Sequence, residues 1–209
     1  GRDMSEVYGL VVAFTENLGD DIQGLAAMAF LPKVDFVIDR DRPRSPFPVK
    51  AIFNGWYTHE PWHWLPSPTI TPLFISMHIA ETIYSILLSR SAVRNLLLKY
   101  GPIGARDTFT VRVLKVYNIP AYFSGCLTLT LDYGYASLKT KQCDYILISD
   151  LSVSVPSLRS DLEIRLTSQV FHKTLIDYFS RLPDPIKCLI KVAPYALGDN
   201  INYRVQRIW

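Results

Sequence analysis

Residues that interrupt the apolar runs of this 209-residue chain, nearly all of them polar, are its main candidates for chemistry. They are Asn17, Gly19, Asp20, Asp21, Asn54, His78, Arg106, Ser124, Thr128 and Asp150. A carboxylate in such a place acts as an acid or base or holds a sugar hydroxyl, and a histidine titrates near neutral pH. An arginine binds a carboxylate or phosphate through its forked guanidinium. These residue types suit proton transfer beside an anionic substrate.

Each of these residues also has a structural interpretation, which the sequence leaves open. Asp20 or Asp21 is expected to cap the helix that follows. A lone histidine such as His78 is more often a hydrogen-bonded core residue than a catalyst. Arg106 and Asp107 equally fit an ion pair and a helix cap.

Two literal motifs favour the structural interpretation. Residues 59–63, HEPWH, fit the HExxH pattern of zinc peptidases, but Pro61 disfavours the helix which that site requires. We therefore expect residues 55–68 to form an aromatic loop, although its rings also suit stacking on a sugar. Those rings belong to Trp56, Tyr57, Trp62 and Trp64. Cys126 has no obvious partner base and is expected to be a buried thiol.

The order of apolar and amphipathic segments predicts strands alternating with helices. Strands are expected over 8–14, 35–38, 49–54, 70–78, 102–106, 121–131, 144–150 and 187–192, and helices over 22–31, 81–100, 108–117 and 158–179. The charged, proline-rich segment 39–48 is predicted to be a surface loop. Such alternation implies an α/β fold with a doubly wound, mostly parallel, Rossmann-like sheet. Ligands bind at the carboxyl ends of strands in these sheets, where the polar candidates lie.

Composition excludes several classes of protein. With 49% hydrophobic residues the chain is not disordered as a whole, and three cysteines without a CxxC pair favour neither a disulfide framework nor a metal site. A net charge of +3 is too small for a nucleic-acid footprint. The longest apolar stretch, 70–88, contains Pro72, His78 and Glu81, so no transmembrane segment is predicted.

Five segments together resemble the polysaccharide pyruvyl transferase family. They are NxGDDxxxxAA (17–27), NGWYTH (54–59), PLFISMHI (72–79), PIGARDTxT (102–110) and YFSGCLTLTL (122–131). The resemblance spans about residues 9–150 and implies a glycosyltransferase-B-like architecture of two Rossmann-like domains facing a cleft. Residues 1–150 would form the N-terminal domain, and 151–209 its remainder or the start of an interdomain linker.

The resemblance also implies a reaction and roles for the candidate residues. A pyruvyl group passes from phosphoenolpyruvate, the donor substrate, to two hydroxyls of a sugar or polysaccharide and forms a cyclic ketal. Arg106 would be a cation near the donor or would hold the fold around it, His78 would serve as acid or base, and Asp20 would orient the acceptor or a loop. Asn17, Gly19, Asp21, Asn54, Ser124 and Thr128 would contact substrate. No metal or other cofactor is expected.

Other interpretations stay open at this point. The family carries a second domain with further His and Arg residues, so we expect this chain to be a piece of a longer protein or a half without catalysis of its own. One half of a sugar-nucleotide glycosyltransferase and a non-catalytic carbohydrate-binding or assembly module are the alternatives. Oligomeric state is undecided, and a cytoplasmic and a Golgi-type glycan pathway suit the sequence equally.

Overall fold

The computed structural model describes residues 6–15, 17–131, 145–149 and 163–167, the last two ranges as backbone. The described residues fall into two compact units, one within 1–14 and 20–134 and the other within 15–19 and 135–209. The predicted strand over 187–192 and the polar residue Asp150 lie outside the described residues. The domain boundary at residue 150 stays a prediction.

The first unit is built on a six-stranded, all-parallel sheet flanked by helices. The strands are β1 Tyr8–Val12, β2 Phe36–Asp39, β3 Val49–Tyr57, β4 Ile70–Ile79, β5 Ile103–Ala105 and β6 Ala121–Phe123. The helices are α1 Leu18–Met28, α2 Tyr84–Ser89, α3 Ser91–Lys99 and α4 Thr108–Val116. This architecture confirms the predicted Rossmann-like α/β fold.

The strand order is β2-β1-β3-β4-β5-β6, so β1 has β2 on one side and β3 on the other. The direction of winding therefore reverses between β1 and β3. A reversal of this kind opens a crevice at the carboxyl ends of the strands. In the second unit, β7 Tyr145–Ser149 and β8 Glu163–Thr167 form a parallel pair.

Four aromatic side chains form the centre of the hydrophobic core beside β3 and β4. Phe53, Tyr57, Trp64 and Phe74 are each at most 1% exposed. The Phe53 ring lies 5.4 Å from that of Phe74, and the Tyr57 ring 5.4 Å from that of Trp64. Aromatic pairs at these separations contribute beyond their buried area. The carboxyl ends of β3 and β4 thus stand on a close-packed base.

Strand β3 is longer than predicted. It runs through Gly55 to Tyr57, whereas the sequence predicted that it would end at Asn54. A bulge allows this: the pairing with β4 shifts between Phe53 and Gly55. Gly55 has φ of 85°, which a glycine adopts without strain, and Ser76 on β4 has φ of 54°. The bulge redirects the side chains at the strand ends.

The single helix predicted over 81–100 is wrong. The chain forms α2 and α3, separated by Arg90 in an extended conformation. The Arg90 guanidinium donates to the carbonyls of Pro61 and Trp64, at 3.0 and 2.7 Å. Arg94 then donates to the last carbonyls of α2, including Leu88 O at 2.7 Å. These side-chain bonds replace the backbone bonds of a continuous helix.

Two further predictions fail for local reasons. The strand predicted over 121–131 ends at Phe123, because Gly125 turns the chain with φ of 71° and Leu127–Thr130 form a 3₁₀ helix. Strand β8 lies within the helix predicted over 158–179. In EIRLT, Ile164 and Leu166 alternate with polar residues. This period of two is typical of a strand, and it indicated the local structure better than the helical spacing did.

Trp62 and Trp64 provide a matched test of the core. Trp64 is 0% exposed, so Trp64→Ala should lower the free energy of unfolding by about 3–5 kcal/mol. Trp62 is 62% exposed, and Trp62→Ala should change it by less than about 0.5 kcal/mol. Urea unfolding followed by circular dichroism measures both. Equal losses in the two variants would contradict this packing.

Candidate functional site

Polar residues from three adjacent strands meet at the carboxyl edge of the sheet. Met77 on β4 is paired with Ala105 on β5, so His78 and Arg106 are the next residues in line. The Arg106 N–H donates to Met77 O at 3.0 Å, and the Ser124 N–H to Ala105 O at 2.8 Å. These bonds continue the ladder past the strand ends. They bring the predicted residues His78, Arg106 and Ser124 to one place.

His78 is held by Asp107, the residue after Arg106. The His78 Nδ1 lies 2.5 Å from Asp107 Oδ2, while Asp107 Oδ1 accepts the N–H of Thr110 at 2.8 Å. Asp107 is thus the predicted N-cap of α4 and also the partner of His78. A carboxylate only accepts hydrogen bonds, so Nδ1 carries a proton. In the neutral form of the ring, Nε2 is then the acceptor, and Nε2 bonds to none of the described residues.

Sequence reasoning treated Asp107 as a cap and missed its bond to His78. The signal was available in the topology, since His78 is the last residue but one of β4 and Asp107 comes shortly after the end of the neighbouring strand β5. Burial of the Asp107 carboxyl raises its pKa, but the Thr110 N–H and His78 outweigh burial and lower the pKa below its usual value. Asp107 is therefore charged at neutral pH.

Arg106 is a cation at this edge without an ion-pair partner among the described residues. Its side chain is half-buried, and its guanidinium makes no hydrogen bond or ion pair with any residue that the structure describes. The ion-pair interpretation of Arg106 and Asp107 finds no support among these residues. A guanidinium without an internal partner can bind a carboxylate or phosphate through two parallel hydrogen bonds.

The segment after β6 borders Arg106. The Ser124 hydroxyl accepts the N–H of Ser76 at 3.0 Å and lies 3.1 Å from Ala105 O, to which it donates. Ser124 therefore joins the bulge of β4 to the end of β5. The Thr128 hydroxyl lies 3.0 Å from the half-buried Sγ of Cys126. Both hydroxyls predicted to bind substrate thus have partners within the protein.

A buried ionic network lies at the ends of β2 and β3. Arg40 is 3% exposed, and its guanidinium donates to Asp20 Oδ1 at 2.9 Å and to Asp41 Oδ2 at 3.1 Å. Its carbonyl accepts the indole N–H of Trp64 at 2.9 Å. Arg40 was predicted in a surface loop, and its burial corrects that prediction. The alternating charges of DRDR (39–42) are typical of an exposed loop. They did not indicate that one arginine would turn inward and neutralise two carboxylates.

Asp41 extends this network to His59. Its carboxylate accepts the Thr58 hydroxyl at 2.5 Å and the His59 N–H at 2.8 Å, and the His59 Nδ1 lies 3.2 Å away. Burial raises the pKa of Asp41, but the Thr58 bond and the charge of Arg40 outweigh burial and lower the pKa.

Helix α1 begins earlier than predicted, and its cap differs. It starts at Leu18, and the Gly19 N–H donates to Asn17 Oδ1 at 2.8 Å, which makes Asn17 the cap. Asp20 and Asp21 lie in the first turn, where their negative charges interact favourably with the helix dipole. The prediction that either aspartate is the cap is therefore wrong. An asparagine one position before the helix reaches the free N–H first.

A family model described as polysaccharide pyruvyl transferase matches residues 17–196. The chain belongs to this family. The match covers most of the sequence and confirms the resemblance drawn from the five segments. Membership implies, in general terms, pyruvyl transfer and a glycan acceptor. No curated protein and no solved structure matches the chain significantly. Within the described residues, no helix combines the length and hydrophobicity needed to span a membrane.

The HExxH segment of this pyruvyl transferase family member does not form a zinc site. Residues 61–63 are a turn, His59 contacts Asp41, and Glu60 pairs with Arg42 at 2.7 Å. Among the described residues, no three His, Cys, Asp or Glu side chains are arranged to hold a metal. The prediction of an irregular segment here is confirmed for residues 58–68.

The aromatic residues give few surfaces for stacking on a glycan acceptor. Tyr57 and Trp64 are fully buried, and the Trp56 ring is contacted by His59 at 4.5 Å and by the Arg40 guanidinium at 5.2 Å. Packing therefore accounts for three of the four rings considered. Trp62 is the exposed one.

Arg40 and Arg42 allow a matched test of the buried network. Arg40→Ala removes the buried cation that two half-buried carboxylates share, so the free energy of unfolding should fall by about 3–5 kcal/mol. The Arg42 side chain is 71% exposed, and Arg42→Ala should cost less than about 1 kcal/mol. Urea unfolding at pH 7 provides both values. A small loss in Arg40→Ala would show that the network does not stabilise the fold.

The lowered pKa of Asp107 predicts a dependence of stability on pH. Its stabilisation is present above the unfolded value of about 3.9 and is lost as pH falls through the folded value. Between pH 7 and pH 3 the wild type should therefore lose more free energy of unfolding than Asp107→Asn. Glu81→Gln, at an exposed carboxylate, serves as control and should follow the wild type. If the free energy of unfolding fell equally with pH in the wild type and in Asp107→Asn, the lowered pKa of Asp107 would be refuted.

Proposed function

We propose that this chain forms the donor side of an enzyme that transfers pyruvyl from phosphoenolpyruvate to two hydroxyls of a glycan. The observation that carries the proposal is the Arg106 guanidinium, which has no partner among the described residues and lies beside His78 at the carboxyl edge. Phosphoenolpyruvate carries a carboxylate and a phosphate on one carbon. A forked cation suits either group. The chain would supply one half of a two-domain cleft.

The reaction needs an acid, a base and a cation. A proton adds to C3 of phosphoenolpyruvate, and the cationic C2 is attacked by one sugar hydroxyl, which gives up its proton. The C2–O bond to phosphate then breaks, and a second hydroxyl attacks C2 and loses its proton. The products are the cyclic ketal and inorganic phosphate. Arg106 neutralises the donor and the leaving phosphate, since fixed charges are most effective where charge develops.

His78 is the proposed proton carrier. Its Nδ1 is fixed by Asp107, so Nε2 is the atom that takes a proton from a sugar hydroxyl or returns one to the donor. Asp107 acts as its positioning residue and favours the protonated ring after transfer. Asp20 orients the acceptor side through the start of α1, where Arg40 holds its carboxylate.

The remaining predicted contacts belong to the same proposal. They are Asn17, Gly19, Asp21, Asn54, Ser124 and Thr128. Several already bond within the protein, so we assign them to shaping the edge as well as to touching substrate.

Replacing Arg106 tests the proposal. Arg106→Gln should lower kcat/KM for phosphoenolpyruvate at least about tenfold, because a hydrogen-bonded charge is lost. The assay measures phosphate release in the presence of a panel of glycosides, galactosides among them. Arg112→Gln, exposed on α4, is the matched control and should keep wild-type turnover.

Two results would overturn the proposal. Unchanged turnover in Arg106→Gln would remove Arg106 from the donor site. Transfer from a nucleotide sugar, or glycan binding without any phosphate release, would favour a glycosyltransferase or a carbohydrate-binding module instead.

A further inference from the structure

Gln23 on α1 links three elements at the carboxyl edge. No motif or pattern in the sequence predicted this role. Its Oε1 accepts from Asn54 Nδ2 at 3.3 Å, and its Nε2 donates to the Sγ of Cys126 at 3.2 Å. Asn54 Nδ2 also donates to the Gln23 carbonyl at 3.0 Å. One amide therefore connects α1, β3 where its pairing with β4 is bulged, and the segment that follows β6.

The bonding partners fix the orientation of this amide. Asn54 is 5% exposed and presents its NH₂ group to Gln23, so the Gln23 oxygen must face Asn54. The Gln23 NH₂ group then faces Cys126. The direction of the hydrogen bond to sulfur is thus determined by the buried asparagine.

Gly55 makes room for this arrangement. A Cβ at Gly55 would lie 3.3 Å from the Gln23 Cγ, closer than ordinary van der Waals contact. Gly55 also has φ of 85°, which disfavours any other residue. The backbone at the bulge is therefore shaped to accept the glutamine side chain.

We propose that Gln23 is a positioning residue that holds Cys126, and with it the segment 124–128, against Arg106 at the donor side of the site. The segment is tied at its start by Ser124 to β4 and β5, and in its middle by Gln23 to α1 and β3. Without the bond to Gln23, the side-chain hydrogen bonds that hold this segment to the sheet, among the described residues, are those of Ser124. The proposed role rests on the proposed function, because it concerns the same edge.

The thiol of Cys126 reports on this tie. Burial raises its pKa, but hydrogen bonds from Thr128 and Gln23, together with the charge of Arg106, outweigh burial and lower the pKa below its usual value. A donor to sulfur stabilises the thiolate, so removal of that donor moves the titration upward. A role limited to packing would not move it.

The experiment measures the rate of Cys126 alkylation by iodoacetamide against pH on the 209-residue chain. Peptide mass spectrometry separates Cys126 from Cys143 and Cys188. Gln23→Leu should raise the thiol pKa by about one unit. Gln23→Glu should raise it further, because a carboxylate repels the thiolate. Asn95→Leu, at an exposed position on α3, is the control and should match the wild type.

Wild-type alkylation profiles in both Gln23 variants would overturn the positioning role. Thr128→Val, which removes the other side-chain donor to sulfur, should also raise the thiol pKa. If Thr128→Val raises the thiol pKa and the Gln23 variants do not, Gln23 does not hold Cys126 in place.

A separate arm with phosphoenolpyruvate addresses the proposed function. The ligand should slow Cys126 alkylation in the wild type and have no effect in Arg106→Gln. Absence of protection in the wild type would count against the donor site, while the pKa shifts in the Gln23 variants would still support the tie.

Discussion

The carboxyl edge of the sheet depends on one buried cation. Arg40 is almost fully enclosed, yet it satisfies Asp20 at the start of α1 and Asp41 at the start of the loop after β2. Removing either side of such a pair leaves an uncompensated buried charge, so the three residues constrain each other strongly. Through the Trp64 indole bond, the same arginine is attached to the aromatic core. The position of α1 relative to β2 and β3 follows from this network.

That position in turn determines what the rest of the edge can do. With α1 fixed, Gln23 bonds to Asn54 on β3 and to Cys126 in the segment after β6. On the other side, the parallel register of β4 and β5 places His78 beside Arg106 and lets Asp107 hold the histidine ring. The edge thus contains an ion-paired network at β2 and β3, and a cation with no described partner at β5. Arg40 is paired within the protein and Arg106 is not paired with any described residue. Together with family membership, this difference makes Arg106 the candidate for binding an anionic substrate.

The sequence predicted the fold through its buried strands, since YGLVV and ITPLFISMHI are too apolar and too long for loops. The Asp107 cap and the strand-end positions of His78 and Arg106 were also predictable, because cap and breaker residues act locally. Arg40, Asp41 and Gln23 were not, because their roles arise from partners up to about a hundred residues away in sequence, as for Gln23 and Cys126. The helix over 81–100 failed for a related reason: Arg90 bonds to carbonyls of a distant loop. Local propensity contains no information about such partners.

The proposed function depends above all on the binding of phosphoenolpyruvate at Arg106 and His78. The most direct measurement is a titration of the ¹⁵N-labelled chain with phosphoenolpyruvate, followed by the NMR signals of arginine Nε–H groups and histidine rings. We expect the signals of Arg106 and His78 to shift together and saturate, while the signal of the exposed Arg112 stays unchanged. A saturating response that leaves Arg106 and His78 unchanged, or no response by the folded chain, would contradict it.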